Sequence, residues 1–181
     1  MSAGHGHIDP SNKKIALLIA VLALVLAFSE TLGKSAQTNA LSPNIEASNL
    51  WSFFQAKTIR QTVVRTAAEQ TSLAANSEEA KKQVEAWRKT AQRYQTEPET
   101  GEGRDELMAR AKEAEKKRDR SMAAYHQYEL ASAAVQIAIV LASASIVTGA
   151  MALAWLGAGL GVIGVVFCLI GFIAPTSVHL F

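Results

Sequence analysis

The chain holds few residues arranged for chemistry, and the most suggestive ones sit at the end of an apolar run. In LVLAFSETLGK, residues 24–34, aliphatic side chains give way to Ser29-Glu30-Thr31, and Lys34 follows Glu30 by four positions. On a helix that spacing makes Glu30 and Lys34 neighbours and a natural ion pair. A carboxylate at the end of a membrane helix either serves an ion path or marks where the helix leaves lipid; the second reading is favoured here. His5, His7 and Asp9 lie close in the N-terminal tail, but nothing fixes their geometry, so a solvated tail is expected rather than a metal centre. His126 and His179 stand alone. Glu78-Glu79 and Asp105-Glu106 are adjacent pairs that point in different directions and suit helix starts. The charged run 112–120 reads as a solvated face with i,i+4 pairs. Cys168 is the only cysteine, which excludes an intramolecular disulfide and a cysteine-based zinc site. No Ser/His/Asp neighbourhood and no glycine-rich strand–helix loop is present. We therefore expect no catalytic, cofactor-binding or metal residues, and no enzyme.

The elements that carry these residues are set by hydropathy. Among 181 residues with a formal charge of +2, segments 15–28 and 130–174 carry no charge, and most of the charge lies between them. The near-neutral balance gives no field for nucleic acid. The pattern predicts an all-α membrane protein with three transmembrane helices and a long helical, coiled-coil-like insert between the first and second. Residues 1–14 read as a polar tail, 15–32 as the first span, 33–129 as the insert, 130–148 and 150–174 as the second and third spans, and 175–181 as a tail. The first apolar run is long enough to be retained as an anchor rather than cleaved as a signal.

Within the insert, residues 35–42 read as a polar connector. Ser42-Pro43 then looks like a helix start, Pro being tolerated in the first turn. The expected helices are 43–74, 77–95 and 104–129, with Asn76-x-x-Glu79 as a capping box for the second. No proline or glycine lies between Gly103 and Gly149, so the third helix is free to continue into the second span. Trp51, Phe53 and Phe54 read either as membrane-interface aromatics or as core of the helical insert.

Small residues are ordered along the spans. Ala16, Ala20, Ala23 and Ala27 step by four and three, and Gly157, Gly161, Gly164, Cys168 and Gly171 do the same in the last span. Such stripes let helix backbones approach closely in lipid, so both are expected to be helix-packing interfaces. The alanine stripe leads on to Glu30 and Lys34, which are expected as an interfacial charge pair. Gln136 is expected to hydrogen-bond across helices.

The segment NKKIALLIAVLALVLAFSETLGKSAQTNALSPNIEASNLWSFFQAKTIRQT, with the charged middle and the two C-terminal apolar runs, resembles DUF4337, a family of bacterial membrane proteins of unknown function. The resemblance implies membrane location and this architecture, and no activity. Lys34, Lys112, Lys116, Lys117, Arg118 and Arg120 flank the insert side of the spans, against Lys13 and Lys14 on the other. That imbalance predicts a cytoplasmic insert. The expected role is a self-associating structural or interaction component of the bacterial inner membrane. Its partners would be the bilayer, further copies of itself, and a protein bound by residues 43–129. The alternatives are a small oligomeric channel with Glu30 and Lys34 as charged rings, and a membrane-anchored adaptor or sensor.

Overall fold

A computed structural model of the chain describes residues 10–74 and 76–177. His5, His7, Asp9 and His179 lie outside the described residues. Four helices follow in order: α1 (Pro10–Ala74), α2 (Glu78–Gln95), α3 (Arg104–Thr148) and α4 (Met151–Ile173), with no strand among the described residues. Three of them, α1, α3 and α4, are long and apolar enough to cross a membrane. The chain forms two compact units, one of residues 1–40 with 119–181 and the other of residues 41–118.

The expected connector at 35–42 is helical, and Pro43 lies inside α1 rather than at a helix start. An interior proline costs about 3 kcal/mol, so other terms must offset it. Ala36 and Ala40 are buried in the first unit, and Ala47 and Leu50 in the second. The cap of α2 also differs from expectation. Ser77, not Asn76, accepts a hydrogen bond from the Ala80 N–H at 3.1 Å, with Glu78 and Glu79 in the first turn.

In the first unit, α3 and α4 form a tight hairpin. Gly149 joins them with φ +73°, a backbone state that glycine enters without steric cost. The facing surfaces are small. Ala131, Ala138 and Ala142 of α3 are fully buried, and Gly157, Gly161, Gly164 and Gly171 of α4 are buried. A Cβ on Gly157 would sit 2.8 Å from the Ala138 carbonyl oxygen, and one on Gly164 would sit 3.1 Å from that of Ala131. The two backbones therefore touch.

Against this small surface α1 presents large side chains, not its alanines. Leu22 packs with Val135 and Ala138, and Ile15 with Ala142 and Ala154. Leu22 occupies the space that a Gly161 side chain would need. Ala16, Ala20, Ala23 and Ala27 are all exposed. The expected alanine interface is thus not used within this chain. The reason is volume: α3 and α4 already supply the small residues, so dense packing needs bulk from the third helix.

The second unit is built on aromatic and ionic contacts. Leu50, Leu107 and Ala111 form its buried cluster, with Trp51, Phe53 and Phe54 packed against it. Trp51 Nε1 donates to Glu115 Oε1 at 2.9 Å, and Arg104 stacks over the Phe54 ring at 5.0 Å. These aromatics are partly buried bundle contacts in this unit. Leu107 and Ala111 give them an apolar partner, and Glu115 satisfies the indole N–H.

Lys57 is buried, and its ammonium lies 3.5 Å from Glu97 and 3.8 Å from Glu102. It also sits over the Phe53 and Tyr94 rings. Without Lys57, Glu97 would still keep its pair with Arg93 at 3.0 Å, so the loss falls mainly on the packing of the buried lysine stem. Lys57→Ala is expected to destabilise the unit, seen as a lower melting temperature by circular dichroism of the full chain in detergent. Lys89→Ala, whose pair with Glu85 is solvent-exposed, is the control and should change little.

Burial works to raise the Glu97 carboxyl, but the Thr100 hydroxyl, Arg93 and Lys57 outweigh it and hold the group below its ordinary value of 4.5. A lowered folded value means that the unfolded chain binds more protons in between. The stabilisation is therefore present above pH 4.5 and is lost as pH falls through the lowered value. The melting temperature should drop on acidification below this range, and Glu97→Gln should flatten the drop.

Candidate functional site

Two features stand apart from the packed core. The first is a groove between α1 and α3 within the first unit, about 620 Å³ in volume. Gly33 sets its wall: the Tyr128 Cβ would lie 3.3 Å from a Cβ placed there, so the helices run close. From α1 it is lined by Ser29, Glu30 and Lys34, and from α3 by Tyr125, Glu129 and Gln136, among others.

The polar groups of the groove are partly committed. Gln136 Nε2 donates to Glu30 Oε1 at 3.3 Å. The Tyr125 hydroxyl donates to Glu129 Oε1 at 2.6 Å, and His126 Nδ1 lies 3.4 Å from Glu129 Oε2. Ser29 is fully buried, and its hydroxyl has no hydrogen-bond partner. Among the described residues Lys34 makes no ion pair. The expected Glu30–Lys34 pair is therefore replaced by the Gln136–Glu30 bond across helices. A planar amide from α3 reaches the carboxylate, and the exposed lysine, held by no ion pair, retains its rotamer freedom.

The groove brings together two carboxylates, an ammonium, a phenol and an unsatisfied hydroxyl. That set can hold a ligand with both signs of charge. Sequence reading found Glu30, Lys34 and Gln136 but missed Ser29, Tyr125 and Glu129. A signal was present: Glu30 lies two residues past the first charge-free run, and Glu129 directly precedes the second.

The second feature is a set of exposed small or apolar residues on α1 in each unit. In the first unit these are Ala16, Ala20, Ala23 and Ala27. In the second they are Leu41, Ile45, Ile59 and Val63, at 58%, 60%, 65% and 62%. These share one helical phase by sequence: Leu41 follows Ala27 by two heptads, and Ile59 follows Ile45 by two more. Among the described residues no cluster of three or more metal-ligating side chains occurs.

These features define an all-helical protein with three helices apolar enough to cross a bilayer and a polar helical unit in between. The chain belongs to the family described as Domain of unknown function (DUF4337), whose model matches residues 11–174. No curated protein and no solved structure matches it.

Proposed function

We propose that the chain is a self-associating structural component of the bacterial inner membrane, in which two copies meet along these exposed residues of α1. The observation that carries this reading is the exposure of Leu41, Ile45, Ile59 and Val63 in the polar unit. In lipid, exposed apolar residues are ordinary. On a unit rich in charge they form an unpaired seam. The same helical phase carries alanines in the apolar part, where small residues rather than large ones favour pairing. Each part of the helix thus has the composition that its medium requires of a helix–helix contact.

Two copies inserted with the same topology run parallel, so alanines meet alanines and the large aliphatic residues meet each other. Such a two-fold contact is self-complementary and closes at two copies. The positive charge flanking the insert supports a cytoplasmic position for it. Native mass spectrometry of the purified chain in mild detergent tests the reading: a dimer is expected, and a monomer across the accessible concentration range would remove it.

A further inference from the structure

We propose that the groove between α1 and α3 binds the headgroup of an ethanolamine phospholipid. This rests on the membrane placement above but not on self-association. The depth is right: Ser29 directly follows one charge-free run, and Glu129 directly precedes the other. The groove therefore falls where apolar chain gives way to charge on both helices, the level of lipid headgroups.

The side chains select the ligand. Glu30 and Glu129 offer carboxylate oxygens, and the Tyr125 hydroxyl donates to Glu129, which keeps that group in its acceptor role. A bare anion would face both carboxylates, and a bare cation would face Lys34. A headgroup with an ammonium and a phosphate satisfies both. The carboxylates take the ammonium, and Lys34 takes the phosphate together with the unpartnered Ser29 hydroxyl. Carboxylates bind best to a group with N–H donors, so a primary ammonium fits and a quaternary one does not. Gln136 holds Glu30 in place.

Native mass spectrometry of the full chain in detergent, with phosphatidylethanolamine, phosphatidylcholine or phosphatidylglycerol added, tests this. Protein copy number is read from the same spectra, so failure of self-association is seen separately. The wild type should retain phosphatidylethanolamine about tenfold better than the other two. A Glu30→Gln/Glu129→Gln double variant should lose the preference while keeping its helical circular dichroism. Lys34→Gln should weaken retention of all three lipids. Equal retention by the wild type, a preference for phosphatidylglycerol, or an unchanged preference in the double variant would overturn the proposal. Free phosphoethanolamine should not be retained; if it binds as tightly as the lipid, the lipid assignment fails.

Discussion

Replacing Gly157 by leucine is expected to break the α3–α4 pair, while leucine at Gly159, two residues away, leaves it intact. A Cβ at Gly157 meets the Ala138 carbonyl oxygen at 2.8 Å and the Ala142 nitrogen at 3.3 Å. Both are backbone atoms of a helix and cannot rotate aside. A Cβ at Gly159 meets nothing within 4 Å. Overpacking a tight contact costs about 1–3 kcal/mol even when side chains absorb it, so about 3 kcal/mol or more is expected where the backbone must move. Gly161→Ala should fall between, because its nearest neighbour is the flexible end of Leu22. Thermal melting of the three variants in one detergent gives the order. Equal effects at 157 and 159 would show that α3 and α4 do not pack this closely.

The second large effect is expected on self-association. An Ile45→Lys/Ile59→Lys double variant should convert a dimer to a monomer without loss of helix. Both side chains are about three-fifths exposed in the single chain, so the fold does not depend on them. In a two-fold contact the change removes four apolar side chains. At about 1 kcal/mol for the area each still has to bury, that is about 4 kcal/mol, or roughly a thousandfold in affinity. Introduced like charges add to this. Analytical ultracentrifugation in detergent reads the shift. Ser72→Lys, also exposed on α1, lies off this seam and should leave the dimer unchanged.

How far the sequence carries differs from element to element. The continuation of α3 from Arg104 to Thr148 is legible, since nothing between Gly103 and Gly149 breaks a helix. The continuity of α1 is not. Ser42-Pro43 is a strong local start signal, and only the burial of Ala36, Ala40, Ala47 and Leu50 overrides it. The alanine stripe shows a related limit. Periodicity gives the phase of a small face but not whether this chain uses it, because that depends on the volumes offered by other helices. Leu22 against Gly161 decides the matter in space, and no local pattern announces it. In the groove Glu30 is visible from its place at the end of an apolar run. Its partner Gln136 lies 106 positions away and is fixed only by how α1 and α3 pack. Lys57 is harder still, since a lysine on a charged helix reads as solvated until Glu97 and Glu102 close over it.

The central claim is that copies of the chain meet along the exposed small and apolar residues of α1. A disulfide scan in native membranes, on a Cys168→Ser background, tests it most directly. Single cysteines would replace Ala20, Ala23, Ala27, Leu41, Ile45 and Ile59 on the proposed seam, and Leu18, Leu22 and Leu26 on the face packed against α3 and α4. Oxidation is predicted to yield crosslinked dimers from the seam positions, with little from the other three. Crosslinking at Leu18, Leu22 and Leu26 as efficient as on the seam, or none at any seam position, would contradict the account.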